Sequence, residues 1–350
     1  MKNKVLVIGY FGYVTSQNDG QTIKTRNIYD LLKNNNENIF TIDYFDTQSF
    51  KLNKLLIFKM IWIMLFCNKI VYLPAQNNLT YIFPFIYIIC KLKRIDILYF
   101  VVGGWLATYL ENKKIHIFLL SKIRGIFTES EQLKSLLIKK YKFNNVTVFQ
   151  NFRIHSFIPS FSQKSDDFDD FKIVFMARIN RMKGIDAIFR LAEHIDNQYG
   201  KYHQIVIDFW GPIEQKDEEF FRKKVDEFTF INYKGILDPE QIYTTLNTYD
   251  LSVLPTKYIT EGFPGTILDS YISGIPVIVS NWKYAPEFVE QGKTGFIFDL
   301  NKEDEFYYFV NKLYRDRKIL LEMKQNAFKK SKMYSSESAW LIIQNYFIAK

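Results

Sequence analysis

Short apolar runs that alternate with helical segments constrain the fold of this chain more than any other feature. Each run is nearly uninterrupted, as is typical of strands buried on both faces of a parallel sheet. In the first half the predicted strands are 4–9, 39–44, 69–73, 97–102 and 125–128, and the predicted helices are 21–33, 53–66, 80–92, 107–122 and 130–141. This alternation predicts βαβ units and a doubly wound α/β sheet.

The same alternation stops and then resumes. Residues 156–171 combine Pro159, several serines and an acidic run, a composition typical of a linker. Beyond it the predicted strands are 173–176, 204–210, 231–234, 251–254 and 276–279, and the predicted helices are 184–197, 217–227, 239–247, 264–273 and 303–316. A chain of 350 residues is long enough for two cores. We therefore predict two Rossmann-like domains, 1–155 and 172–335, joined by the linker 156–171 and followed by a helix, 336–350, that packs back on the first domain.

The charge of the chain is unevenly distributed. Residues 1–160 contain 21 Lys and Arg against 9 Asp and Glu, whereas the remainder contains 25 against 28. The basic half includes two aromatic, apolar segments, 54–67 and 79–90, that are flanked by Lys51, Lys54, Lys59, Lys69, Lys91, Lys93 and Arg94. Each segment is shorter than the roughly 20 residues of a spanning helix. The segments are either core helices with solvated lysines or a surface that rests on anionic lipid.

Other compositional features narrow the class of protein. The basic residues are scattered among apolar runs and form no recognisable nucleic-acid module, so we expect no nucleic-acid partner. Cys67 and Cys90 stand in apolar helical segments without a Cys-x-x-Cys pair, which predicts buried free thiols. The strand-like run at 5–9 is too short for a signal-peptide core. We expect a cytoplasmic protein that is either free in the cytoplasm or peripheral on the inner face of the cytoplasmic membrane.

Two polar features of the second half follow predicted strands. Arg178 and Lys183 follow the strand 173–176, and Gly211 follows the strand 204–210. Ligands of open α/β sheets bind outside the carboxyl ends of the strands, where two cations suit an anionic group. Glycine at such an edge permits close approach of the backbone.

A third feature is the segment EGFPGTILDSYISGIPVI at 261–278. Its Pro-Gly turn leads into a helix near Thr266, and the free N–H groups of a helix start favour phosphate oxygens. Glu261, before the turn, suits sugar hydroxyls better than phosphate. Asp269 falls inside the helix, where aspartate is unfavourable unless it faces a polar group.

The sequence contains no convincing metal site. Asp167 and Asp169 form an Asp-x-Asp pair, but the pair stands in the polar linker rather than at the end of a strand. No His/Cys cluster has the spacing of metal ligands. We therefore expect neither a metal nor another cofactor.

Taken together, the motifs of the second half carry a resemblance to a known family. They are Arg178-x4-Lys183-Gly184, then Trp210-Gly211-Pro212, then the segment 261–278, and then GKTGF at 292–296. In this order they closely resemble the C-terminal domain of the group 4 family of retaining glycosyltransferases, over nearly all of 172–300, with a weaker match at 9–32. The resemblance implies the GT-B fold, in which two Rossmann-like domains face each other across a cleft.

The resemblance also implies roles for individual residues. Arg178 and Lys183 would neutralise the donor diphosphate, and Glu261 would bind the hydroxyls of the donor sugar; these three are the predicted catalytic residues. The predicted donor-binding residues are Gly20, Gln21, Gly211, Phe263, Pro264, Gly265, Thr266 and Asp269. Asp269, where the family usually has glutamate, would bind the ribose. Gly104 and Trp105 would lie on the acceptor side, at a strand end where many relatives carry a histidine that this chain lacks.

The function that the resemblance implies is that of a retaining, metal-independent, hexosyltransferase-type enzyme. It would move a sugar from a UDP- or GDP-linked donor to a saccharide acceptor, which we expect to be lipid-linked, in the synthesis of capsule, O-antigen or exopolysaccharide. An anionic membrane surface is an expected partner. Two alternatives stay open: a catalytically silent GT-B subunit that binds a partner, and a GT-B-fold UDP-sugar 2-epimerase.

Overall fold

The computed structural model describes residues 3–36, 39–161, 170–200 and 203–347. It divides the chain into two compact units, Met1–Ile154 with Tyr334–Lys350, and His155–Met333. Asp167 and Asp169 of the predicted linker lie outside the described residues. The start of that linker belongs to the second unit, where the N–H of Ser160 donates to Oδ1 of Asn247 at 3.2 Å.

The first unit is built on a six-stranded parallel sheet in the order β2-β1-β3-β4-β5-β6. The strands are β1 (Asn3–Gly9), β2 (Phe40–Asp46), β3 (Lys69–Leu73), β4 (Asp96–Phe100), β5 (Gly125–Thr128) and β6 (Val146–Val148). The helices are α1 (Gly20–Asn34), α2 (Leu56–Met64), α3 (Gln76–Tyr81), α4 (Phe83–Lys93), α5 (Leu106–Tyr109), α6 (Lys114–Ser121) and α7 (Glu131–Tyr141).

Local chemistry explains where these helices begin and break. Asp19 caps α1, because its side chain accepts hydrogen bonds from the N–H groups of Gln21 and Thr22. The predicted helix 107–122 is two helices, since Asn112 has a φ of 63° in the left-handed region that asparagine tolerates. The predicted helix 80–92 is also two, because Pro84 stands in the first turn of α4, where proline starts helices.

The second unit is built on another six-stranded parallel sheet, in the order β12-β11-β10-β7-β8-β9. Its strands are β7 (Phe171–Met176), β8 (Ile205–Trp210), β9 (Ile231–Tyr233), β10 (Leu251–Leu254), β11 (Val277–Ser280) and β12 (Gly295–Phe298). Its helices are α8 (Ile185–Tyr199), α9 (Glu218–Asp226), α10 (Ile242–Leu246), α11 (Gly265–Ile272), α12 (Ala285–Phe288), α13 (Glu303–Arg315) and α14 (Arg317–Ser331). The chain then returns to the first unit as α15 (Ser336–Ile343).

The prediction of two doubly wound, Rossmann-like sheets is confirmed. Each sheet has one strand more than predicted, β6 and β12, and the helices α12 and α14 were also missed. Both strands lie at a sheet edge, where a strand is short and its apolar run merges with the neighbouring turn. The prediction of two buried free thiols is confirmed as well, and burial raises the pKa of Cys67 to about 11 and that of Cys90 to about 12.

The two faces of the first sheet are covered by different helices. Ile28 of α1 and Ile343 of α15 share one buried cluster with Val71 of β3. The next residue of β3, Tyr72, points to the other face because side chains alternate along a strand. There its ring stacks on Phe83 of α4, with the ring centres 5.9 Å apart. Helices α1 and α15 therefore lie on the face opposite to α4.

Candidate functional site

The strand order of the second unit locates a candidate site. From β7 the chain continues to β8 on one side of the sheet, whereas β10 lies on the other side. Ligands of doubly wound sheets bind at the carboxyl ends of the strands where the order reverses in this way. The loop after β7, with Arg178 and Lys183, and the loop after β10, with Glu261, meet at this point.

An ion pair joins the two loops. Nζ of Lys183 lies 2.7 Å from Oε2 of Glu261, and the two side chains are 20% and 18% exposed. The hydroxyl of Thr256, just beyond β10, donates to the same carboxylate oxygen at 3.3 Å. The ammonium group of Lys183 also stands 5.3 Å from the centre of the Tyr258 ring, which is close enough for a cation–π attraction. A cation and a carboxylate are thus held side by side at the switch point and remain partly open to solvent.

Asn180 fixes the backbone that carries Lys183. Its Oδ1 accepts a hydrogen bond from the N–H of Lys183 at 2.8 Å, and its Nδ2 donates to Oε2 of Glu214 at 2.7 Å. Hydrogen bonds from Lys216 and Asn180, with the charge of Arg178, lower the pKa of Glu214 against the opposing effect of burial. Asn180, Glu214 and Thr256 were not predicted, although asparagine is a favoured cap immediately before a helical turn, as Asn180 is before 181–183.

Two glycines let the loops of the site approach one another. Gly184 has a φ of 88°, and a Cβ atom added there would lie 1.8 Å from the carbonyl oxygen of Pro255. Gly211 has a φ of 137°, and an added Cβ would lie 2.1 Å from the carbonyl oxygen of Ala177. Both positions exclude a side chain by sterics as well as by backbone conformation. The close approach predicted at Gly211 is therefore an approach of its backbone to the loop that contains Ala177.

Gly184→Ala is expected to destabilise the protein by about 3 kcal/mol, from the left-handed backbone and from overpacking. The matched control is Gly292→Ala, because Gly292 has a φ of 73° but nothing within 4 Å of an added Cβ. The control is expected to cost about 1 to 2 kcal/mol. Urea unfolding of both variants measures the difference, and equal losses would contradict the steric argument.

Helix α11 begins beside the same switch point. The hydroxyl of Thr266 donates to the carbonyl oxygen of Met176, the last residue of β7, at 2.6 Å. Phe263 is buried and stacks on Phe288, with ring centres 4.3 Å apart, and Pro264 precedes the helix as its N-cap. The first N–H groups of a helix have no acceptor within it and carry the positive end of its dipole. The strand end and the helix start are therefore fixed relative to each other before any ligand binds.

The other predicted site residues lie in different surroundings. Asp269 is inside α11 and only 5% exposed, so its assignment to a ribose stays a prediction. Gly20 and Gln21 begin α1 in the first unit, and Gly104 and Trp105 follow β4 of the same unit. Nε1 of Trp105 donates to the carbonyl oxygen of Val102 at 2.7 Å, which closes this loop on itself.

A buried ion pair in the first unit was missed from the sequence. Nζ of Lys24 on α1 lies 2.5 Å from Oε1 of Glu129, and both side chains are 3% exposed. Lys24 also donates to the carbonyl oxygen of Val101 at 2.8 Å, while Glu129 accepts from the N–H of Gly103 at 3.3 Å. The pair ties α1 to the loops that follow β4 and β5. Burial lowers the pKa of Lys24, and the charge of Glu129 opposes that effect.

Residues 157–330 match a family model described as glycosyl transferases group 1. The capsular polysaccharide biosynthesis glycosyltransferase CapM of Staphylococcus aureus is 24% identical over 180 residues, which are 51% of this chain and 46% of CapM. The chain spans about half the length of the curated relatives it matches.

Solved structures share the fold over nearly the whole chain. HepE of Anabaena, in complex with UDP-glucose, matches with a TM-score of 0.73 over 98% of both chains at 14% identity. The sucrose-phosphate synthase of Thermosynechococcus elongatus matches with a TM-score of 0.78 over 99% of this chain and 98% of its own, at 12% identity. At such low identity these likenesses show the fold alone. The glycosyltransferase family expected from the motifs is confirmed, and it is the family described as glycosyl transferases group 1, whose model residues 157–330 match.

Proposed function

We propose that the protein transfers a sugar from a nucleoside diphosphate sugar to a hydroxyl group of a saccharide acceptor, with retention of the anomeric configuration. The observation that carries this proposal is the Lys183–Glu261 pair at the switch point, beside the start of α11. A diphosphate needs cations and N–H donors, and a sugar needs a hydrogen-bond acceptor for its hydroxyls. The loop after β7 offers a cation, Lys183, the loop after β10 offers an acceptor, Glu261, and the two groups are in contact.

The chemistry follows from the charges that develop in the transition state. The bond between C1 of the sugar and the diphosphate oxygen breaks, and a bond between C1 and the acceptor oxygen forms. Negative charge grows on the leaving phosphate while positive charge grows on the sugar ring. The negative charge on the phosphate is stabilised by the side chains of Arg178 and Lys183 and by the N–H groups of Gly265 and Thr266. Preorganised donors of this kind are most effective where charge develops. The leaving phosphate takes the proton of the acceptor hydroxyl.

We further propose that the donor carries UDP or GDP, that its sugar is a hexose and that transfer needs no metal. The solved complex of HepE with UDP-glucose supports a nucleotide-sugar donor for a chain of the same fold. Arg178 and Lys183 supply the positive charge that a metal would otherwise bring to the diphosphate. Transfer is therefore expected to continue in the presence of EDTA, and its loss would contradict this part of the proposal.

The acceptor is proposed to be a lipid-linked saccharide of a surface polysaccharide, either capsule or O-antigen. The similarity to CapM supports capsule synthesis. Such an acceptor lies in the inner face of the cytoplasmic membrane, which is where we propose that the protein works. The excess of basic residues in the first half of the chain favours an anionic surface. Among the described residues, no helix is long and apolar enough to cross a bilayer.

Two measurements test the proposed function on the purified chain. Calorimetric titration with UDP and with GDP is expected to show binding of one of them, and absence of binding by both would overturn the donor site. Mass spectrometry of a panel of nucleotide-sugars, with and without lipid-linked saccharides, is expected to show acceptor-dependent release of the nucleotide. Binding without release or transfer would indicate a silent subunit. Conversion of the donor sugar without an acceptor would indicate a 2-epimerase.

A further inference from the structure

The solvent-facing side of α2 is apolar where a surface helix is normally polar. Met60 and Met64 face the core, one helical turn apart. The outward stripe contains Phe58 and Trp62, which are 67% and 64% exposed, and it continues to Phe66 just beyond the helix. Residues spaced by three and four positions share one face of a helix. The exposed aromatic side chains therefore form a continuous ridge rather than isolated surface residues.

Helices α4 and α6 repeat this arrangement. On α4, Ile86 and Cys90 are buried, whereas Phe85 and Ile88 point to solvent. On α6, Leu119 and Leu120 are buried, whereas Ile115 and Phe118 are exposed. Three helices of one unit thus present large apolar side chains outward, and exposed apolar patches of this extent mark interaction surfaces.

The three helices lie side by side on one face of the first sheet. They connect β2 to β3, β3 to β4 and β4 to β5, and right-handed crossovers that lead in one direction along a parallel sheet place their helices on the same face. Helix α4 packs beside α6, and its Phe83 stacks on Tyr72. We call the outward side of these helices the α2/α4/α6 face, defined by Phe58, Trp62, Phe85, Ile88, Ile115 and Phe118.

The charge around this face has a single sign along most of its length. Between Asp46 and Asp96 the chain contains seven Lys and Arg residues and no Asp or Glu. Exposed lysines stand beside the apolar ridge on each helix, among them Lys59 on α2 and Lys91 on α4. At the end of α6, Nζ of Lys122 stands 5.8 Å from the centre of the Phe118 ring. Lysine stems of this kind cover apolar surface while their ammonium groups stay in water.

This combination favours a lipid surface over a protein partner. Aromatic and aliphatic side chains enter the boundary between headgroups and acyl chains, and the surrounding lysines attract anionic headgroups. A second copy of the chain is a poor occupant, because a two-fold interface brings equivalent surfaces together and would oppose the lysines of the two copies. An anionic bilayer supplies both the apolar layer and the opposite charge.

We infer that the α2/α4/α6 face is a docking surface for a bilayer rich in anionic lipid. The inference rests on the proposed location of the protein at the membrane, and it assigns that contact to particular helices of the first unit. The aromatic ridge of α2 enters the headgroup layer, and the lysines of α2, α4 and α6 bind lipid phosphates. The opposite face of the same sheet, covered by α1 and α15, stays in solution.

Vesicle flotation of the purified full chain tests the inference. The protein is expected to float with vesicles of phosphatidylglycerol and phosphatidylcholine, and to stay in solution with phosphatidylcholine alone. Binding is expected to weaken as salt rises, because attraction to the headgroups is screened over a Debye length of about 8 Å at physiological ionic strength. Failure of the unmodified chain to float with the anionic vesicles would overturn the inference.

Two double variants, each with a control on the opposite face, locate the surface. Phe58→Ser with Trp62→Ser is expected to lower the vesicle partition coefficient about tenfold or more. Leu341→Ser on α15, at a residue 64% exposed on the opposite face, is expected to leave it unchanged. Lys91→Gln with Lys93→Gln is expected to lower it about tenfold, because each lysine near an anionic surface contributes to binding. Lys33→Gln on α1 serves as the control for charge.

A second measurement distinguishes loss of membrane binding from loss of folding. Vesicles with bromine atoms on the acyl chains are expected to quench tryptophan fluorescence in the unmodified chain, and less so in Trp62→Phe. Titration with UDP or GDP is expected to give the same affinity in every variant. Nucleotide binding without flotation would reject the docking surface but retain the donor site, whereas flotation without nucleotide binding would do the reverse. If the unmodified chain dimerises but does not float, and the double variant Phe58→Ser with Trp62→Ser no longer dimerises, the face binds a second copy of the chain instead.

Discussion

Lys183→Ala is expected to lower kcat for release of nucleotide from the donor by about 10² to 10³, as does loss of a preorganised group at the site of developing charge. The structure holds this ammonium group 2.7 Å from Glu261, at the point where the strand order reverses. Without it, the leaving diphosphate loses a cation and faces a carboxylate that has lost its partner. Steady-state kinetics with the donor identified by mass spectrometry measures the effect.

The matched control for this variant is Lys293→Ala. Lys293 pairs with Glu290 at 2.9 Å, but its side chain is 63% exposed, and exposed pairs contribute little. The kcat of the Lys293→Ala variant is expected to stay within about twofold of that of the unmodified chain. A higher KM for Lys183→Ala with unchanged kcat would show that Lys183 binds donor and transition state equally, contrary to the proposed role.

Loss of either member of the Lys24–Glu129 pair is expected to cost about 3 to 5 kcal/mol of the free energy of unfolding, because the remaining charge is buried without its partner. Lys24→Met and Glu129→Gln are the two variants, and urea unfolding is the measurement. Both side chains are almost wholly inaccessible to water, so solvent offers little relief.

A double variant separates the charge effect from simple loss of packing. Lys24→Met with Glu129→Leu removes both charges, and replacing a buried pair by apolar groups is often close to neutral. It is expected to recover most of the lost stability, although the carbonyl oxygen of Val101 and the N–H of Gly103 lose their side-chain partners. A double variant as unstable as the sum of the two single variants would show that the ion pair is not the cause.

Much of the fold was readable from the sequence because both sheets are parallel and buried. Strands such as β1 and β8 are continuous apolar runs, and the helices between them have a clear periodicity. The edge strands β6 and β12 were missed because little of their length distinguishes them from turns. Left-handed Asn112 divided a predicted helix, which periodicity alone does not reveal.

The candidate site was predictable only in part. Each residue of the Lys183–Glu261 pair was identified from its place after a predicted strand, but the two are 78 positions apart in the chain. Their contact depends on β7 and β10 being neighbours in the sheet. The order of strands in a sheet cannot be inferred from the pattern of apolar residues. Lys24 and Glu129 gave no signal at all, since a lysine in a helix and a glutamate before a helix normally face water.

In the proposed function, the Lys183–Glu261 pair would make the site selective among anions. Phosphate, or a nucleotide that has lost its sugar, would compete for Lys183 and leave Glu261 without its cation, so part of the attraction of the anion would be cancelled. An intact donor would compensate, because its sugar hydroxyls would give the carboxylate new hydrogen bonds. The same contact would then favour the substrate over the spent nucleotide, and its return as the product leaves would shorten the time that the product stays bound.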